Sequence, residues 1–296
     1  MIGATPPAVR AVMWDLDGTI CDSFLLAFGA TQEVLAKHGY REATVEDYHN
    51  SSRCTTQERL ARHAGLKPED AHFERIGAQL AAEFEPSYIA KVSPETAPAF
   101  EKTAAIVRRL GAAGVPQACL TNAAASYADA VLTTHDLRKF FAAVNGADTV
   151  PRHKPSPDGV LKCVADLTAA GVIAPPTPGR CAGVYIGDSP SDGEAARRAG
   201  VASVGVGWGS HDAESLHKCG YFDVICHDED ELLRLLLPDG AAGAAGAAGA
   251  AGAAGAAGAA GAAGAWHKLA PAALLDRAAV ERGLAQLAAV VEARPK

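Results

Sequence analysis

Ala8-Val9-Arg10-Ala11-Val12-Met13-Trp14, running directly into Asp15-Leu16-Asp17-Gly18-Thr19, decides how this chain is read. The apolar run predicts a strand, and two acids follow at its end. In extended chain the side chains at i and i+2 share a face with Cα atoms roughly 6.5 Å apart, so Asp15 and Asp17 can flank one reacting centre. One can attack while the other handles protons. Gly18 lets the backbone turn sharply beside a ligand, and Thr19 offers a hydroxyl and an N–H to an anion. The stretch therefore reads as a phosphate site. A calcium loop starting at Asp15 would need Gly at position 20 and Glu at position 26, where the chain has Ile20 and Leu26.

Outward from that strand, residues 23 to about 90 carry only helical patterns: 24–38, 57–64 and 68–84. A Pro-bearing passage, Ser93-Pro94-Glu95-Thr96-Ala97-Pro98, closes this block and suits a linker. Helix and strand then alternate. Helices are expected at 99–113, 125–135, 157–170, 191–199 and 229–237, and strands at 115–120, 141–144, 182–186, 202–206 and 223–226. Repeated αβ units imply an α/β fold, a doubly wound parallel sheet with ligand sites at the carboxyl ends of its strands. The all-helical block is then an insertion after the first strand, placed to close over the site as a lid.

The expected domains are a catalytic core of residues 8–21 and 97–239 and a helical cap of 22–96. A Gly-Ala-Ala linker of 240–265 and a C-terminal amphipathic helix within 266–296 follow. The tract holds 9 of the 30 glycines, so its alanines inflate the 49% hydrophobic content. It lacks the proline of a collagen helix, and a glycine every third residue costs a helix about 1 kcal/mol each relative to alanine. Beyond it Val280, Leu284, Leu287 and Val291 share one helical face, which is expected to dock on its own domain or fray, the alternative being a helix that binds a partner.

A net charge of -7 gives no electrostatic reason to expect nucleic acid or an anionic membrane as partner, and small diffusible substrates fit better. Seven scattered cysteines without a Cys-x-x-Cys pair favour reduced thiols, and no apolar stretch approaches the roughly 20 residues of a membrane helix. A cytoplasmic protein is the default expectation.

Three further groups stand at predicted strand ends or helix starts. Thr121-Asn122 offers a hydroxyl and backbone N–H groups to an anion. Lys154, between His153 and Pro155 ahead of a helix, can neutralise a phosphate. Gly187-Asp188-Ser189-Pro190-Ser191-Asp192 supplies two carboxylates suited to Mg²⁺, although Asp192 equally suits a helix cap. Arg53, Thr55 and Thr56 sit in a short polar segment of the helical block. His211, His217, Cys219, Cys226 and His227 cluster in sequence, but their spacing matches no common zinc site.

With Asp15-Leu16-Asp17-Gly18-Thr19, Thr121-Asn122, Lys154 and Gly187 to Asp192 in this order, the chain resembles the phosphoglycolate phosphatase-like group of the haloacid dehalogenase superfamily. His153 departs from the family, where glycine is commoner, and Pro175 to Gly179 lengthens the interval to Asp188. The resemblance implies a Mg²⁺-dependent phosphatase acting on a small phosphorylated metabolite through an aspartyl-phosphate. Asp15 is then the nucleophile and Asp17 the general acid and base. Thr121, Asn122 and Lys154 hold phosphoryl oxygens, and Asp15, the Asp17 carbonyl, Asp188 and Asp192 form the metal site. Arg53, Thr55 and Thr56 correspond to cap positions that contact substrate. An Asp at position 17 disfavours carbon–halogen cleavage. A β-phosphoglucomutase-like phosphomutase shares all four signatures, and a non-catalytic scaffold using the tail is the alternative from another class.

Overall fold

Val12–Trp14 (β1) is the central strand of a six-stranded parallel sheet in a computed structural model that describes residues 11–51, 54–177, 182–237, 284–287, 289 and 293. Gln117–Leu120 (β2) and Ala143–Asn145 (β3) lie to one side of it, and Val184–Gly187 (β4), Ala202–Val206 (β5) and Val224–Cys226 (β6) to the other. The order is β3-β2-β1-β4-β5-β6. Met13 pairs with Ala118 and with Tyr185, so the order reverses at β1 and a crevice opens at its carboxyl end. Every residue of β1, β2, β4 and β5 is buried, as a sheet covered on both faces requires.

The covering helices follow the expected alternation: Glu101–Ala112 (α5), Ala125–Thr134 (α6), Asp158–Ala169 (α7), Pro190–Ala199 (α8), Ala213–Cys219 (α9) and Glu229–Leu236 (α10). Sequence reading missed α9, a short helix capped by Asp212 and ended by left-handed Gly220, because its His and Cys residues drew attention as metal candidates. Among the described residues those side chains form no metal-ligand cluster.

Between β1 and α5 lie only helices: Phe24–Lys37 (α1), Val45–Asn50 (α2), Thr56–His63 (α3) and Phe73–Ala90 (α4). Two boundaries differ from expectation. The six-residue α2 buries nothing, so no apolar period announces it, and it rests on a capping box between Thr44 and Asp47. α4 starts five residues later than expected and runs through Pro86, because its buried stripe of Leu80, Ala81, Phe84 and Tyr88 continues past the proline. The chain leaves the sheet and returns to it side by side. Cys21 bridges Ala99 antiparallel, Asp22 N–H donates to Pro98 O at 2.8 Å, and Phe100 N–H donates to Ile20 O at 2.9 Å.

Residues 8–10, where the sequence predicts a strand, Arg53 and the Gly-Ala-Ala tract lie outside the described residues, as do Val280 and Val291. Leu284 and Leu287 are buried within the main hydrophobic cluster, in keeping with a tail that docks on its own domain. No described helix is long and apolar enough to cross a membrane.

Candidate active site

The crevice at the end of β1 holds Asp15 and Asp17, and the loops after β2 and β4 bring Thr121 and Asp188 beside them. The β1–β4 pairing extends one step, with Asp15 N–H donating to Ile186 O at 2.8 Å. Gly18 has φ +76°, and a Cβ there would run into the Asp188 carboxylate. Glycine is thus demanded twice, by backbone conformation and by space. At Gly209 too a Cβ would collide, with the Gly18 carbonyl and the Asp188 side chain.

Lys154 is 3% exposed, and its ammonium bridges Asp15 Oδ1 and Asp192 Oδ1, each at 2.7 Å. It also donates to Tyr185 Oη at 3.1 Å. The loop that carries it is clamped by Asn122, whose Nδ2 donates to Lys154 O at 3.1 Å and whose Oδ1 accepts from Lys154 N–H at 3.0 Å. The Asn122 side chain therefore positions the lysine. Burial alone would lower the lysine's proton affinity, but the charges of Asp15 and Asp192 outweigh it and hold the amine firmly protonated.

Asp188 and Asp192 open α8, whose first turn is built by Ser189 at the N-cap and Pro190 behind it. Asp192 Oδ2 completes the capping box, accepting from Ser189 N–H at 2.9 Å and Oγ at 2.8 Å. With Oδ1 on Lys154, both Asp192 oxygens have partners within the protein. Asp188 Oδ2 accepts from Ser210 N–H at 2.5 Å. Oxygens of Asp15, Asp188 and Asp192 all lie within 4.8 Å of one another. Burial, with the charge of Asp192 next, pushes Asp188 up to about 7, and burial with the same neighbour drives Asp15 well above the carboxylate range. Three buried carboxylates face a single ammonium.

Asp17 is partly buried and held by three hydroxyls. Oδ1 accepts from Ser23 Oγ at 2.5 Å and from Tyr127 Oη at 2.8 Å, and Oδ2 from Thr121 Oγ1 at 3.2 Å. Tyr127, on α6, and Tyr185, on β4, escaped sequence reading because each sits in an ordinary apolar pattern and only its hydroxyl turns to the site. Tyr127 stacks on Tyr88 of α4 with centroids 4.2 Å apart, tying the helical block to the core. Thr19 corrects an expectation. Its N–H donates to Leu16 O, and its hydroxyl is sealed in the interior without a partner, so it reaches no anion in the crevice.

The cavity of about 250 Å³ is lined by the core acids, Thr121, Asn122 and Lys154, and across from them by residues of the helical block. Of the expected contacts there, Thr56 lines the cavity, while the Thr55 hydroxyl caps α3 by accepting from Glu58 N–H. Arg59, Tyr48 and Phe84 also line it and had not been singled out. His153, just ahead of Lys154, meets Glu58 of α3 at 3.4 Å, a second tie between block and core.

Residues 12–206 match the family described as haloacid dehalogenase-like hydrolase. A phosphoglycolate phosphatase of Pseudomonas putida is 31% identical over 215 residues, 70% of this chain and 74% of that protein. Another, from Yersinia pseudotuberculosis, is 28% identical over 78% of this chain and 95% of its own length. The fold matches that of CbbY from Rhodobacter sphaeroides, solved in complex with phosphate, with a TM-score of 0.60 at 21% identity over 76% of this chain and 96% of that one. The paired acids, the buried lysine and these similarities lead to one assignment: the chain belongs to the haloacid dehalogenase-like hydrolase family.

Proposed function

We propose that this hydrolase is a Mg²⁺-dependent phosphatase of a small, phosphoglycolate-like metabolite, working through an aspartyl-phosphate on Asp15. The observation that carries the reading is the Asp15–Lys154 pair, a buried carboxylate held at 2.7 Å by an ammonium at a strand end open to the cavity. An Asp15 carboxylate oxygen attacks phosphorus, the bond to the substrate oxygen breaks, and Asp17 protonates the departing alkoxide. Asp17 then takes a proton from the water that hydrolyses the acyl phosphate. Ser23 and Tyr127 hold the Asp17 carboxyl for both transfers, which leaves the Thr121 hydroxyl to turn from Asp17 to the phosphoryl group when substrate enters. Lys154 keeps Asp15 aimed and, with Thr121, offers positive charge and a hydroxyl to the phosphoryl oxygens.

The donor set fits a hard divalent cation. All three clustered groups are carboxylates facing one lysine, and burial first and the charge of Asp192 second raise Asp15 and Asp188, a cost that a bound cation would relieve. Asp15, the Asp17 carbonyl and Asp188 would hold Mg²⁺, with Asp192 steadying Lys154 behind them. When bound, the cation offsets the repulsion between the nucleophile and an anionic phosphate. The helical block of residues 22–96 serves as the cap that excludes water from the cavity.

The test is Asp15→Asn, assayed with Mg²⁺ on 2-phosphoglycolate and p-nitrophenyl phosphate. Turnover should vanish while the circular dichroism spectrum is retained, and the parent protein should give inorganic phosphate and no isomerised ester. A folded Asp15→Asn protein with the parental rate overturns the reading.

A further inference from the structure

Arg59 occupies a position in α3 where the helix period calls for an apolar residue. Thr56, Arg59 and Leu60 form the buried face, and Arg59 is 7% exposed. Its guanidinium lies over the rings of Tyr48 and Phe84, 4.7 and 5.2 Å from their centroids, and Nη1 donates to Thr31 Oγ1 at 2.7 Å. Among the described residues no carboxylate forms an ion pair with it, although a buried charge ordinarily requires one.

Two aromatic faces and one hydroxyl fix this side chain without neutralising it. Arg59 and Lys154 are the only arginine or lysine among the described residues lining the cavity, and Lys154 is already engaged by two carboxylates. His63 adds no charge at neutral pH, since burial first and Arg59 second hold it at about 4. Among the described residues, the cap side of the cavity thus presents one cation without an ion-pair partner opposite the core acids. A guanidinium held over two rings and by one hydroxyl is restrained in position, and its remaining N–H donors suit the paired oxygens of a carboxylate or phosphate.

We propose that Arg59 is the specificity-determining residue that binds a second anionic group of the substrate, at the end remote from the scissile phosphoryl. The enzyme then selects phosphate monoesters bearing a carboxylate or a second phosphate over esters with neutral tails. This rests on the phosphatase reading and adds to it which residue chooses the substrate.

The experiment compares kcat/KM for 2-phosphoglycolate, a sugar bisphosphate and 2-hydroxyethyl phosphate in the parent, Arg59→Met and Arg59→Lys proteins. The ratio of anionic to neutral substrate cancels any general loss of activity. In Arg59→Met that ratio should fall about 30-fold or more, the usual consequence of removing one partner of a desolvated, hydrogen-bonded charge pair. Most of the loss should lie in KM. Arg59→Lys keeps the charge without the fork and should retain part of the preference. Whichever anionic substrate suffers the larger loss identifies the tail as carboxylate or phosphate. A ratio unchanged in both variants means that Arg59 only braces the cap helices, and the proposal falls while the phosphatase reading stands. Calorimetric binding of 2-phosphoglycolate to Asp15→Asn and to Asp15→Asn/Arg59→Met provides a readout independent of turnover. Equal affinities there overturn the proposal as well.

Discussion

Replacing Lys154 with methionine keeps an unbranched stem and removes only the charged terminus, which makes it the sharpest probe of the site's electrostatics. The ammonium has two carboxylate contacts at 2.7 Å and a third polar contact to Tyr185, all in the interior. Deleting one partner of such a buried pair leaves charge uncompensated and costs about 3–5 kcal/mol. At about 2–4 °C per kcal/mol for a domain of this size, the melting temperature in metal-free buffer should fall by roughly 10 °C at pH 8. The pH dependence follows from the raised carboxyls. A carboxyl whose proton affinity is higher in the fold stabilises it most below the unfolded pKa of about 4, and that contribution declines as pH rises to the folded value, about 7 for Asp188. Loss of Lys154 raises Asp15 further, so the deficit should be small near pH 5 and complete by pH 8. Urea unfolding followed by tryptophan fluorescence, to which the buried Trp14 contributes, measures it at both pH values, and added MgCl₂ should narrow the gap. A deficit under about 1 kcal/mol at pH 8, or one equal at the two pH values, would refute the reasoning.

Tyr127→Phe removes one of three hydroxyls on Asp17 at the cost of one charge-assisted hydrogen bond, about 1.5–3 kcal/mol. With Ser23 still in place, kcat should drop about tenfold and the pH–rate profile should move. An unaltered profile argues that Tyr127 only packs. Glu58→Gln should lower the His153 pKa followed by NMR, because the bond to Glu58 is the main cause that raises it. Since a raised histidine stabilises below its unfolded pKa of about 6.5 and loses that contribution as pH rises through the folded value, the variant should flatten stability between pH 6 and 8. The effect stays under about 1 kcal/mol, as both groups are partly exposed. An identical His153 titration in the two proteins would remove this tie between block and core.

The parallel sheet and its core acids were legible because they depend on periods and spacings the chain itself displays. An apolar run ending in two acids locates β1, and Thr121 and Asp188 follow runs of the same kind. Lys154 was legible for its company of prolines, but its partners were not, since the Asp15 and Asp192 contacts join residues 139 and 38 positions away. Asp192 illustrates the ambiguity. One carboxylate caps α8 and holds the lysine, and nothing in Ser191-Asp192 separates those roles from metal ligation. Tyr127, Tyr185 and Arg59 were illegible for a shared reason: each occupies a buried position that an apolar residue would fill as well, and only tertiary placement turns its polar end to the cavity.

The side-by-side departure and return of the chain at Cys21 and Ala99 has a mechanical consequence. Two adjacent stems joined by hydrogen bonds act as a stalk, which resists shear and stretching yet twists and bends readily about its own line. The helical lobe it carries should therefore rock over the crevice as one piece, with Glu58 and Tyr88 as its points of landing on the core. The same geometry makes the lobe exchangeable. Because its ends meet within one hydrogen bond, a short turn or a foreign helical unit can join them without disturbing the register of β1.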